Sequence, residues 1–526
     1  MNSFNRRDFL KFLGLSSTAL ALNSCSSLSF LNSSSSLSQL NAGLSLKSVL
    51  GEFEAIAASE SDELVLDESF TYNIIRSWGD KILNANHESI DFGYNNDYVE
   101  FLPLAEKEAL LFVNHESVNP LEVIGEKAQR KVVGVSIFKI IQNANSEWVF
   151  DEDINEQKKY NWTVDANRTC RVSGPVVAKY PEMKGTLANC SGGKTLWGTI
   201  LTCEENYHNF KDLYHWQDFD MNQYGWIVEI DPYTKNSIPV KRTSLGKIAH
   251  ENAALALADD KKVIAYMGDD KENEHIYKFV SSKALNDHDR DYLAEGKLYV
   301  AKFDKDLDFS KSQSGLGTWE LLSVENPKLT EHFDSDAELL LETRRAAKLL
   351  GASATDRPEG IAISPKSKDV FVSLTNNKTK ANSFGSVFKI SETNHDHGAL
   401  SFKYENFALG GENSGFACPD NLRFTSDNSL WVATDISSKA INKKEYKFHG
   451  NNSLFVIPLN GEYSGKALRF ASAPKGAELC GISFDEKSKT LFLSVQHPGE
   501  LGTQSHWPNL NNDKKARSSV VAIRKK

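Results

Sequence analysis

The sequence predicts an all-β fold, a six-bladed β-propeller with additional helical and loop insertions, from three observations. Six β-prone runs rich in Val, Leu, Phe and Trp each stop at carboxylates, amides or imidazoles. A second apolar strand follows each run at a variable distance, and another candidate strand opening on polar residues precedes it. Three or four strands repeated six times is the pattern of a propeller.

In chain order, the first run is EALLFVNHE, ending at Glu116, with VVGVSIFKI after it. KTLWGTILTCEEN ends at Asn206 and is followed by GWIVEID; KKVIAYMGDD ends at Asp270 and is followed by HIYKFV. KDVFVSLTNN, ending at Asn377, precedes GSVFKI, and NSLWVATD, ending at Asp435, precedes NSLFVIPL. KTLFLSVQHPGE ends at Glu500, and SSVVAIRK closes the chain. The preceding strands are clearest in RPEGIAISP, PDNLRFTSD and ELCGISFDE, which begin near residues 357, 419 and 478.

In an antiparallel hairpin the start of one strand and the end of the next share a rim. The expected rim groups are Asn96 and Asp97 with Asn114, His115 and Glu116; Cys190 with Glu204 and Glu205; and His250 and Glu251 with Asp269 and Asp270. The others are Arg357 and Glu359 with Asn376; Asp420 and Asn421 with Asp435; and Glu478 with Gln496, His497 and Glu500. So many carboxylates around one axis would repel one another unless cations sat between them. Oxygen ligands suit Ca²⁺ or Mg²⁺, whereas a thiolate at Cys190, in the rim loop NCSGG, adds a softer ligand for a transition metal. Cys203 is in strand phase with Leu201 and reads as a buried inert thiol, and Cys418 and Cys480 read as core. Arg357, alone among these acids, could clamp an anion with two parallel hydrogen bonds.

The 526 residues carry a formal net charge of -10, which gives no basic footprint for nucleic acid. Residues 1–25 read as a twin-arginine export signal: Arg6 and Arg7 precede Phe9, Leu10, Lys11 and a short apolar stretch. Leu22-Asn23-Ser24-Cys25 resembles a lipobox except at Asn23, so the mature chain could begin at a lipidated Cys25. Residues 26–45 are a Ser-rich tether and 46–526 a single propeller domain. The five cysteines after Cys25 are an odd number, too scattered for a disulfide framework.

The stretches FGYNNDYVEFLPL, VNHE, NCSGGKTLWGTILTCEEN, IAHENA, GDD followed by HIYKFVS, DRPEG, CPDNLRF and SVQHPGE together resemble the PhoX-type alkaline phosphatases, from the export signal to the last strands. The resemblance implies a six-bladed propeller holding two ferric ions, three calcium ions and a bridging oxo group. It makes Cys190 the thiolate ligand to iron. Glu204, Glu205, Glu251, Asp269 or Asp270, Glu359 and Asp420 become the shared carboxylates, and Arg357 the phosphate clamp. It further implies a periplasmic enzyme, moved by the twin-arginine machinery, that releases inorganic phosphate from small phosphomonoesters. Gly360 departs from the bulky aromatic expected after the glutamate, which bears on the wall beside the substrate. Two rivals remain. A calcium-dependent lactonase or phytase-like propeller needs no thiolate, and a non-catalytic exported binding propeller would not hydrolyse phosphomonoesters.

Overall fold

In the computed structural model, which describes residues 39–119, 124–286, 290–500, 504–509 and 514–526, the six polar-ended runs each form the second strand of an antiparallel hairpin. The hairpins are β1 (Asn96–Ala105) with β2 (Glu108–His115), β3 (Asn189–Lys194) with β4 (Ile200–Glu204), and β5 (His250–Leu257) with β6 (Lys262–Asp269). They continue with β7 (Pro358–Ile363) and β8 (Val370–Leu374), β9 (Pro419–Phe424) and β10 (Ser429–Thr434), and β11 (Glu478–Asp485) and β12 (Thr490–Gln496). The apolar run expected after each hairpin adds the third strand, from Gly134–Gln142 in the first to Ser519–Lys525 in the last. The export signal, Cys25 and residues 26–38 of the tether lie outside the described residues.

The fold is mostly β and propeller-like. The six hairpins lie in five sheets, because the third and fourth share one nine-stranded sheet, joined where Ser314–Leu322 pairs with Ser401–Leu409. Each odd-numbered strand packs on the next, from β1 on β3 to β9 on β11, and β11 packs back on β1. Apolar side chains fill the space between neighbouring sheets: Val99, Leu111 and Phe138 of the first meet Phe492 and Val520 of the last. Burying each such side chain contributes about 1.5–3 kcal/mol. Phe70–Ser77 pairs with the C-terminal strand, Lys525 opposite Phe70 and Ser519 opposite Ser77, so an N-terminal segment covers the last sheet's edge.

All six hairpins break register in the same way. The pairing Asn96↔His115 is followed by Val99↔Val113, three residues onward on the first strand against two on the second. The same step occurs from Asn189 to Gly192, His250 to Ala253, Pro358 to Ile361 and Pro419 to Leu422, and from Cys480 to Ser483. Such a β-bulge re-aims the side chains it carries. In the first five hairpins the bulge contains Asp97, Cys190, Glu251, Glu359 and Asp420 respectively. Two residues earlier, Asn95, Ala188, Arg357 and Cys418 all adopt left-handed backbone, with φ of 55°, 54°, 56° and 51°. For a non-glycine residue this conformation costs of order 1 kcal/mol or more, and its recurrence beside the bulges marks a shared rim geometry.

Candidate active site

The bulges open onto a cavity of about 340 Å³ at the rim where the odd strands begin. Ten carboxylates line it: Asp97, Glu116, Glu205, Glu251, Asp270, Glu359, Asp420, Asp435, Glu478 and Glu500. Among the described residues, Arg357 is the one arginine or lysine in the lining; Cys190 and His497 also face it. Cys190, Glu205, Glu251, Asp270, Arg357, Glu359 and Asp420 are therefore brought together as the sequence suggested.

Glu204 and Asp269 are not, and here the expectation is corrected. Glu204 is fully buried beneath the cavity. Its Oε1 accepts from Lys241 Nζ at 2.8 Å and Thr186 Oγ1 at 2.9 Å, while Oε2 accepts from the backbone N–H groups of Gly225 and Trp226. Asp269 takes the Arg344 guanidinium on both oxygens and the Ala249 N–H on Oδ1. Adjacent residues on an extended chain point to opposite sides, so only one member of Glu204–Glu205 and of Asp269–Asp270 can face the rim. Protein partners occupy the oxygens of the other.

Arg357 is held in the wall by the acids around it. Its Nε and Nη2 donate to Asp270 Oδ1 and Oδ2, both at 2.8 Å, and Nη2 lies 2.5 Å from Glu359 Oε1. The two hydrogen bonds to Asp270 use the Nε–H and one Nη2–H and do not engage the two N–H groups on Nη1. Burial alone would lower the Arg357 pKa, but the charges of Asp270 and Glu359 lift it well above its ordinary value. Burial would likewise raise Asp270, and the Arg357 charge reverses this and holds it below the usual carboxylate range.

The remaining acids lack such a partner. Burial first, and then mutual repulsion, push Glu205, Glu251 and Asp420 well above the carboxylate range, and Asp97 up to about 7. The Cys190 thiol is raised by burial and by the charges of Asp97 and Glu251. Its Sγ donates to Asp97 Oδ2 at 3.5 Å. Around the rim, Glu116 accepts from Asn95 and Gln496, and His497 Nε2 stands 3.4 Å from Glu478 Oε2.

The donor set fits metal ions. Asp97 Oδ1 and Glu205 Oε1 are buried with no hydrogen-bond partner, a condition that costs about 1–3 kcal/mol each unless something else binds them. Ligand atoms of Cys190, Glu205 and Glu251 lie within 4.8 Å of one another, as do those of Asp97, Glu478 and Cys480.

Sequence reasoning placed Asp97, Glu116, Asp435, Glu478 and Glu500 at this rim without carrying them into a ligand set, and read Cys480 as core. The rim pairing that found Glu251 with Asp270 also contained these acids. Cys203 sits with Leu201 and Trp226 in an apolar cluster, as its strand phase indicated. His115 is a structural residue bonded to Asn96 and Ser136. Gly360 does not border the cavity as an absent wall: a Cβ there would stand 2.2 Å from the Asp420 carbonyl oxygen, so the glycine admits the neighbouring strand.

A family model described as alkaline phosphatase PhoX matches residues 51–499. The solved structure of Pseudomonas fluorescens PhoX in complex with vanadate, a transition state analogue, superposes with a TM-score of 0.80 at 31% identity, covering 91% of this chain and 98% of that one. A gluconolactonase from Xanthomonas campestris matches at 10% identity and a TM-score of 0.34, covering 90% of this chain and 98% of that one. A Trichoderma reesei carbohydrate-active enzyme of family AA12 matches at 8% identity and 0.40, covering 89% and 99%. No curated protein matches the chain.

Proposed function

Because the chain belongs to the alkaline phosphatase PhoX family and is a phosphoric monoester hydrolase, we propose that it performs this reaction in the acidic cavity, with calcium and ferric ions bound there. The observation that carries the proposal is the convergence of Cys190, Glu205, Glu251, Glu359 and Asp420 on one cavity where the buried Asp97 Oδ1 and Glu205 Oε1 have no hydrogen-bond partner among the described residues. Cys190 would hold iron, the carboxylates would hold iron and calcium together, and Arg357 would offer Nη1 to the phosphate. When bound, the ions offset the phosphate charge and activate the attacking water. The chain's own residues hold ten carboxyl groups around one cavity. Arg357, oriented by Asp270 and Glu359, is a preorganised donor to an equatorial oxygen.

The ring of six inner strands supports a six-bladed propeller in which the nine-stranded sheet counts as two blades. Arg6 and Arg7 support export through the twin-arginine machinery to the periplasm, where the enzyme would release phosphate for uptake; Cys25 would add a lipid anchor.

Elemental analysis, chelation and reloading test the metal reading. Chelation should abolish hydrolysis of p-nitrophenyl phosphate and Ca²⁺ should restore it, whereas Mg²⁺ should restore little and Zn²⁺ none. Full activity in a calcium-free, zinc-loaded protein would refute it. Replacing Arg6 and Arg7 with lysine should leave active enzyme in the cytoplasm, and wild-type periplasmic levels of that variant would refute the export route.

A further inference from the structure

Relative to the neighbouring inner strand, Cys480 of β11 stands where Glu359 of β7 stands, although within its own hairpin it is still paired with Ser494 at the edge of the bulge. Two relations between neighbouring strands fix this equivalence. A Cβ on Gly360, which follows Glu359, would meet the Asp420 carbonyl oxygen at 2.2 Å, and one on Gly481, which follows Cys480, would meet the Asp97 carbonyl oxygen at 2.3 Å. The Gly481 N–H also donates to Asn421 Oδ1 at 2.9 Å, tying the residue after Cys480 to the residue after Asp420. The ring therefore contains two thiols, one on either side of Asp97.

The surroundings of the second thiol are those of a ligand. Ligand atoms of Cys480, Asp97 and Glu478 lie within 4.8 Å of one another, and all three residues are buried. Asp97, only 1% exposed, has in Oδ1 a buried oxygen with no hydrogen-bond partner, while its Oδ2 receives the Cys190 thiol at 3.5 Å. The Cys480 Sγ lies 3.5 Å from the Asn96 carbonyl oxygen and from Gln496 Oε1. Cys480 forms no disulfide.

We infer that Asp97 and Glu478, which line the cavity, form with the buried Cys480 a second sulfur-containing ligand group, which takes a thiophilic transition-metal ion. One sulfur with two carboxylate oxygens suits iron, cobalt or zinc and disfavours calcium and magnesium, which select oxygen alone. Binding releases the thiol proton to solvent and leaves a thiolate on the metal. The inference rests on the cavity being a metal centre and adds a residue that neither the rim pairing nor the family match assigns.

The test uses the full chain, analysed first as isolated and then after chelation and reloading with Co²⁺ alone. Cys480→Ser should carry about one transition-metal equivalent fewer than wild type. Its sulfur-to-cobalt charge-transfer absorption should fall to about half, as should that of Cys190→Ser, and the double variant should show none. Cobalt-edge X-ray absorption on the unmutated protein should count two sulfur ligands per chain, a measurement that needs no variant to fold. Wild-type metal content and absorption in Cys480→Ser, or a single sulfur ligand per chain, would overturn the inference while leaving the phosphatase centre at Cys190 intact. A wild-type protein that hydrolyses no phosphomonoester and binds no transition metal would overturn both.

Discussion

Glu204 and Glu205 are adjacent, chemically identical and different in what they hold. Glu204 neutralises Lys241, whose side chain is as fully buried as its own, and Glu205 faces the cavity with one oxygen unpartnered. Glu204→Gln should therefore leave an uncompensated buried ammonium and lower the unfolding free energy by about 3–5 kcal/mol in a denaturant titration. Glu205→Gln should leave the fold near wild-type stability after chelation, because burial and its acidic neighbours already favour the neutral acid that glutamine resembles, and yet lower bound metal in elemental analysis. Interchanged results would mean that the two roles are reversed. Arg357 is separable in the same way. Arg357→Ala should cut kcat/KM by roughly 10² to 10³, the scale of losing one preorganised donor. Lysine should recover only part of this, since a point charge cannot hold both Asp270 oxygens and an anion. Loss of metal from the alanine variant would show that its bonds to Asp270 and Glu359, rather than Nη1, are what the site needs.

At the scale of the element, the hairpin rim was legible in the sequence because apolar runs that stop at acids mark where strands end. Pairing those ends brought Glu251, Asp270, Glu359 and Asp420 together correctly. The bulges were not legible, because a one-residue gain on one strand leaves the apolar period of its partner intact. Which of two neighbouring acids faces the rim is set by the alternation of the second strand, whose end the apolar run alone does not fix, so the sequence reading kept Glu204 and Asp269 beside Glu205 and Asp270. Gly360 shows what the bulges require. The strand β9 approaches so closely that the Asp420 carbonyl stands where a Cβ would be. Gly360→Ala should displace the bulge that carries Asp420, cost about 1–3 kcal/mol by overpacking, and reduce Ca²⁺ retention during dialysis. Unchanged stability and calcium content would show that the two bulges are not in contact in solution.

Across the whole molecule, one ring of strands concentrates ten carboxylates in a cavity closed by apolar sheets, and the consequence is a pH dependence set by metal occupancy. Burial holds Asp97 at about 7 and Glu205, Glu251, Glu359, Asp420 and Glu478 well above the carboxylate range in the metal-free chain. An acid raised on folding stabilises the native state fully below its unfolded pKa, near 4, and this contribution is lost as pH rises through the folded value. Buried His115 and His250, lowered by burial to about 3 and about 4, act in the opposite sense, but their effect ends above the unfolded histidine value near 6.5. Between pH 6.5 and 8.5 the carboxylates are therefore left to dominate, and the Tm of chelated protein should fall steadily across that interval. Bound cations favour the ionised carboxylates and so remove the penalty, and the Tm of metal-loaded protein should stay level or rise over the same interval. Calorimetry of both forms at matched ionic strength makes the comparison. Parallel curves would mean that the cavity acids do not govern stability and that metals are not what reconciles their charges.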